Sequence, residues 1–315
     1  MGDQRGAWDV SLMNHLKEAT FGETPTSGTW LPVSLVKSFE PRYMPTFKPK
    51  VGIGRQNPSN WTLIKEYYEF DIELEVIKRE ASPDYNWYKL VQYILEKDAT
   101  ADGSPDNLLD SFSLSATIDL VTDEFWHLMG CMLDRVDLIG SSVDDLVTMK
   151  LHGIAQDGDY STTDPVSGTA TRRAQPADLY QIGMSECDVL YSKVPAAVAS
   201  IMDDISSFRL SMIRTLDKRG TDGTTDTLYR AFVPKDRRWE VEITKDFDSR
   251  TELEHFIDAS KVDCTIEIPN EALGLIFTLE DGFWKSPSGV PVRELDLLNL
   301  RLVGEFADLT IGGHT

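Results

Sequence analysis

EYYEFDIELEVIK, residues 66–78, alternates strictly between two kinds of side chain. Phe70, Ile72, Leu74 and Val76 interleave with Glu69, Asp71, Glu73 and Glu75. A period of two places successive side chains on opposite faces of a β-strand, so this strand has one apolar face and one face made only of carboxylates. Ordinary strands mix Thr, Lys and Ser with their acids on the solvated side. Consecutive carboxylates repel one another, which favours a functional negative surface over a merely solvated one.

The pattern occurs twice. Trp239, Val241 and Ile243 enclose Glu240 and Glu242. The interval from Phe39 to Phe70 is 31 residues and that from Phe208 to Trp239 is also 31, both pairs being offset by 169. After each acidic strand comes an amphipathic helical pattern. Trp87, Leu90, Val91, Ile94 and Leu95 form the first; Leu253, Phe256 and Ile257 form the second, behind a capping box of Ser249 and Glu252. Further strands are expected over 112–120, 125–139 and 147–154 in the first half, and over 262–268, 273–279 and 295–306 in the second. The fold class is therefore mainly β (α+β), with two tandem β-sandwich domains that each carry one flanking helix. The domains are expected at 1–155 and 177–315, with residues 156–176, rich in Asp, Ser, Thr, Gly and Pro, as a linker or long loop.

Residues 41–65 form a long arm without an acidic residue, yet Arg42, Lys48, Lys50, Arg55 and Lys65 lie in it. The chain has 52 acidic against 31 basic residues, a formal net charge of -21. A basic arm on so acidic a chain is suited to dock on another copy of it. The same net charge repels phosphate backbones and argues against tight binding of DNA or RNA; a halophilic source would also fit it.

With 41% hydrophobic residues the 315-residue chain can bury a large core. Cys131, Cys187 and Cys264 show no metal or disulfide spacing and read as small buried hydrophobes. No apolar run is long enough to span a membrane, and the N-terminal residues lack the apolar core of a signal peptide, so a protein kept in a reducing compartment is expected. The histidines at 15, 127, 152, 255 and 314 are scattered, which disfavours a metal site. No nucleophile, phosphate-loop or Cys/His motif occurs. Gly52-Ile-Gly54 reads as turn glycines, Asn60-Trp61-Thr62 as a chance sequon, and the acid pairs Asp144-Asp145 and Asp203-Asp204 as loop solvation. Neither cofactor nor catalysis is expected.

EATFGETPTSGTWLPV, residues 18–33, and FWHLMGCMLDRVDLIGSSVDDLVTMKLHGIA, residues 125–155, give the chain a texture that resembles the tail tube proteins of long-tailed phages and archaeal tailed viruses. In the second segment Gly130-Cys131 sits in mid-strand ahead of a hairpin and a closing strand, as in that family. Most members carry one tube domain and form hexameric rings; the duplication here departs from that and resembles two-domain variants, implying trimeric rings with pseudo-sixfold symmetry. The resemblance implies stacked rings that enclose a hollow conduit for genomic DNA. Glu69, Asp71, Glu73, Glu75, Glu240 and Glu242 would then face a negative lumen, and Arg42, Lys48, Lys50, Arg55 and Lys65 would stack on the next ring. The implied partners are further copies, a tape-measure protein, and terminator and baseplate proteins, in a virion tail assembled in the host cytoplasm. The rivals are another tube-fold component (terminator, baseplate hub or secretion tube) and an acidic β-sandwich binding module, in which Trp30, Trp61 and Trp126 would share one exposed patch.

Overall fold

The computed structural model describes residues 10–33, 35–50, 60–78, 87–95, 110–118, 123–142, 145–173, 180–193, 200–201, 205–220, 227–246, 261–268, 275–285 and 299–312. The first half contains β1 (Val10–Lys17), β2 (Thr29–Val33), β3 (Val36–Tyr43), β4 (Thr46–Lys50), β5 (Asn60–Lys65), β6 (Tyr68–Glu75), β7 (Ile77–Lys78), α1 (Trp87–Gln92), β8 (Phe112–Ile118), β9 (Glu124–Gly140) and β10 (Thr148–Ala155). Then follow β11 (Asp157–Ser161), β12 (Thr171–Arg172), β13 (Tyr180–Gln181), β14 (Asp188–Lys193), β15 (Ser200–Ile201), β16 (Ile205–Gly220), β17 (Tyr229–Asp246), β18 (Val262–Ile268), β19 (Leu275–Trp284), β20 (Asn299–Phe306) and β21 (Asp308–Gly312). The fold is mainly β.

β6 is the strand the alternation requires. Phe70, Ile72, Leu74 and Val76 are at most 1% exposed, while Glu69, Asp71, Glu73 and Glu75 lie on the opposite face. Each large apolar side chain so removed from water contributes about 1.5–3 kcal/mol. α1 closes this core from one side, with Leu90, Val91 and Ile94 fully buried. The second helical pattern, with its capping box, lies outside the described residues.

The duplication is visible in the strand order. The polar-faced sheet runs β3-β6-β10-β9 in the first half and β16-β17-β20-β19 in the second, and β9 pairs directly with β16, so the two runs form one sheet. A second layer repeats likewise, as β2-β1-β8-β9-β11 and β15-β14-β18-β19-β21. β9 and β19 serve both layers, changing from one to the other at a positive-φ residue, Gly130 (φ 61) or Asp281 (φ 55). Such a residue bends a strand sharply enough to leave one sheet and enter the other.

Registers match residue for residue. Met132 faces Ile154 as Phe283 faces Glu305; Leu133 faces Gly153 as Trp284 faces Gly304. Phe39 faces Ile72 as Phe208 faces Ile243. The equal 31-residue intervals do not express this equivalence, because Phe70 corresponds to Val241 rather than to Trp239: Gly153 faces Phe70 and Gly304 faces Val241. The second arm is two residues longer, a difference invisible where flanking aromatics coincide by chance.

Residues 156–176, expected as a linker, carry β11, paired with β9, and β12, paired in parallel with β2. One continuous cluster of buried side chains, from Met13 to Leu309, draws on both halves. Their polar composition reflects an exposed edge rather than a free connection.

Candidate functional site

The outward face of the shared sheet carries the acidic rows read from the sequence. All six carboxylates singled out above lie on it, and every one meets a cation. Arg42 on β3 reaches Asp71 at 2.5 Å, Lys150 on β10 reaches Glu73 at 3.0 Å, and Lys37 stands 3.7 Å from Glu75. Lys218 is 3.9 Å from Glu69, Lys285 is 3.3 Å from Glu240, and Arg301 on β20 is 2.6 Å from Glu242. The wholly acidic face read along one strand is therefore a charge-paired face across the sheet. Arg42, Lys37, Lys150 and Arg301 sit on strands beside their acids, and Lys218 and Lys285 come from farther along the chain. A reading along β6 alone could not find them, although Arg238 of β17 itself also stands 3.7 Å from Glu240. Pairs this exposed contribute at most about 1 kcal/mol each, but they cancel the self-repulsion of the carboxylate rows.

Asp137 on β9 anchors the seam between the halves. It is 5% exposed, and its carboxylate accepts from Arg209 (2.7 Å) and Ser211 (2.6 Å) of β16 and from Arg135 (2.9 Å) of its own strand. Burial works against the charged carboxylate, yet Arg209, Ser211 and Arg135 together hold it below the usual carboxylate range. Nearby, His152 lies 2.5 Å from Asp134, which raises the imidazole above its ordinary value against the opposing effect of burial. These groups line a recess of about 710 Å³ with Lys150 and Lys218. Sequence reading missed Asp137, Arg135 and Arg209; the signal was the charged run Asp134-Arg135-Val136-Asp137 inside a long, largely apolar strand.

The arm is a β-hairpin rather than an irregular loop. β4 and β5 pair with Phe47 facing Leu63, Lys48 facing Thr62 and Pro49 facing Trp61. Alternation thus puts Phe47, Pro49, Trp61 and Leu63 on one side and Lys48 with Thr62 on the other. The five expected docking bases do not act as a set. Arg42 belongs to the sheet through Asp71; Lys65 donates to the Leu228 carbonyl at 3.5 Å and lies over the Tyr229 ring at 5.5 Å. Lys48 is exposed, Lys50 ends β4 opposite Asn60, and Arg55 lies outside the described residues. The corresponding arm of the second half, built by β16 and β17, leans on the base of the first: Glu66 N–H donates to the Thr227 carbonyl at 3.0 Å, and the Lys218 ammonium stands 3.5 Å from the Tyr67 ring centre. That contact buries a small cluster of Met132, Ile154 and Phe232, with Leu216 and Tyr229 against it.

The remaining candidates are structural. Glu18, the first residue of the EATFGETP stretch, accepts from the Gly130 N–H at 2.8 Å and the Ser113 hydroxyl at 2.6 Å, tying that stretch to the Gly-Cys pivot. His15 and His127 are buried, which pulls them down to about 3 and about 4. Cys131 and Cys264 are buried as expected, whereas Cys187 is half-buried. Among the described residues no group of three or more His, Cys, Asp or Glu could hold a metal ion, and no helix is long and apolar enough to cross a membrane. The aromatic patch required of a binding module does not form, since Trp30 is fully buried and Trp126 half-buried while Trp61 is exposed.

No protein-family model and no curated protein matches the chain. Among solved structures it is similar to a chain of the anti-feeding prophage baseplate, at 11% identity and a TM-score of 0.32, covering 45% of this chain and 98% of that one. It is similar also to a chain of the anti-feeding prophage tube-terminating cap, at 16% identity and a TM-score of 0.30, covering 45% of this chain and 97% of that one.

Proposed function

We propose that the chain is a structural subunit of a tail tube, without catalytic activity, whose copies join edge to edge into rings that stack as a hollow conduit. The observation that carries this reading is the β9–β16 seam. There, the last strand of one repeat pairs over six residues with the first strand of an equivalent repeat. The sheet that results begins at β3 and ends at β20 and β19. Among the described residues β3 pairs only with β6, and β19 meets β20 only at Phe283 and Trp284. β3 is the counterpart of β16, one partner in the internal seam; residues 286–291, the counterparts of the β9 seam residues 135–140, lie outside the described residues. Repeating that junction between copies is a head-to-tail contact, which closes into a ring and removes both exposed edges. Three chains would supply six repeats.

In this reading the charge-paired face lines the bore. Its arginines and lysines are engaged by Glu69, Asp71, Glu73, Glu75, Glu240 and Glu242, so they are poor traps for phosphate, while the net charge of -21 keeps DNA from adhering. A tape-measure protein would occupy the bore before DNA, terminator and baseplate proteins would bound the stack, and the protein would reside in the tail of the particle. The distal arm, with Lys48, Lys50 and Arg55, would contact the next ring.

Negative-stain imaging of the purified protein over a range of concentrations and salt tests this. Hollow filaments support the tube, and their rotational symmetry gives the number of chains. Discrete rings that never stack would assign the chain to a terminator, cap or baseplate position instead, and monomers under every condition would overturn the proposal. Charge reversal at Lys48 and Lys50 should leave rings but prevent filaments.

A further inference from the structure

The chain exposes three large apolar side chains whose counterparts in the other repeat are engaged in one cluster. Phe47 is 51% exposed, Trp61 59% and Phe283 44%. Because Phe47 faces Leu63 as Leu216 faces Pro234, and Pro49 faces Trp61 as Lys218 faces Phe232, Phe47 occupies the position of Leu216 and Trp61 that of Phe232. Because Phe283 faces Glu305 as Met132 faces Ile154, Phe283 occupies the position of Met132. Leu216, Phe232 and Met132 pack together across the internal seam, where the second arm crosses onto the first repeat, and Met132 and Phe232 are each 3% exposed.

We infer that Phe47 and Trp61 of one copy pack on Phe283 of the next copy, rebuilding between chains the cluster that Leu216, Phe232 and Met132 form within one. The inference rests on the ring reading and adds the residues that specify its lateral contact. It assigns the base of the first arm to the neighbour within a ring, leaving only the distal part for the ring above. The contact is heterologous: Phe47 lies on the β4–β5 hairpin that follows edge strand β3, and Phe283 on β19 at the far end of the shared sheet, so it joins two different surfaces of the chain. Aromatic side chains brought together at the centre of a desolvated contact are what anchors protein interfaces. The seam's pairing ends at Ile213 and Arg135, and just beyond it Leu216 packs on the cluster that holds Met132, so the equivalent junction brings Phe47 to Phe283 of the adjoining chain.

Cysteine cross-linking tests this, with Cys187→Ser in every variant to remove the half-buried thiol. Residues side by side on neighbouring strands stand about 5 Å apart, within reach of a disulfide. Mixing a Phe47→Cys chain with a Phe283→Cys chain under mild oxidant should give covalent dimers that neither gives alone, and the double variant should give covalent oligomers up to the size of the ring. Phe47→Asp or Phe283→Asp, at positions already exposed in the single chain, should raise the assembly concentration at least tenfold, about the effect of losing one anchoring side chain, whereas Phe47→Leu should assemble normally. Rings that form without these disulfides and are indifferent to both aspartates would overturn the aromatic contact and leave the ring reading standing. Failure to assemble at any concentration by the unsubstituted chain would overturn both.

Discussion

Arg209, in the first strand of the second repeat, donates to Asp137, in the last shared strand of the first, at 2.7 Å. Ser211 reaches the other carboxylate oxygen at 2.6 Å, so the seam between the halves is pinned by one buried acid. The charge is tolerated there because its acceptors are filled from both repeats.

Asp137→Asn should therefore destabilise the chain by about 2 kcal/mol at neutral pH, since two arginines, both partly exposed, lose their common anion. The carboxyl is held below its unfolded value, so its contribution is present above the ordinary carboxylate range and vanishes as the pH falls through the lower folded value. Urea midpoints of the two proteins should differ at pH 7 and converge as the pH falls below the ordinary carboxylate range. Equal midpoints at pH 7 would remove Asp137 from the seam.

His15 and His127 give the chain a second acid sensitivity, at higher pH. Both are depressed, to about 3 and about 4, by burial first of all. The unfolded chain protonates them below about 6.5 while the folded chain does not, so stability is full above that value and falls as the pH drops towards 4. The loss should approach about 1.4 kcal/mol per pH unit for each group. Replacing His127 with Gln should flatten the slope of urea midpoint against pH between 6 and 4; an unchanged slope would contradict its buried, neutral state.

Gly130 is the pivot at which β9 changes sheets. Its φ of 61 disfavours any side chain, and a Cβ would lie 2.8 Å from the Gln156 Cβ and 3.2 Å from the Phe21 ring. Gly130→Ala should cost about 1–3 kcal/mol, read as a lower thermal midpoint. Asp281, the equivalent pivot, tolerates the same region with a side chain, and its N–H donates to Asp263 at 2.9 Å. Asp281→Gly should consequently be close to neutral.

Arg42→Ala removes the cation from Asp71 without touching the core. The pair is exposed on both sides, 46% and 38%, so the loss should be under about 1 kcal/mol. Its effect should appear instead in assembled particles, as greater retention of cationic probes by the bore. Strong destabilisation of the single chain would show Arg42 to be structural.

Strand identity was legible wherever alternation ran long enough, as in β6 with Phe70 to Val76, because a two-residue period dictates which side chains share a face. That an acidic alternation recurs at Glu240 and Glu242 was legible for the same reason, but its alignment was not: the 31-residue intervals set Trp239 against Phe70, whereas the register sets Val241 against it. The sequence also shows the charge imbalance, whose sign argues against tight binding of DNA or RNA. Pairing across strands was not legible. Lys150 and Glu73 are 77 residues apart and Arg301 and Glu242 are 59 apart, yet each pair meets because register, a tertiary quantity, sets cross-strand neighbours. Tertiary structure likewise decided that Leu216 and Phe232 are covered while Phe47 and Trp61, their equivalents, are exposed. All four are apolar residues in alternating strands, and what separates them is that the second repeat finds the first beside it in the same chain, whereas the first repeat meets solvent at its own edge.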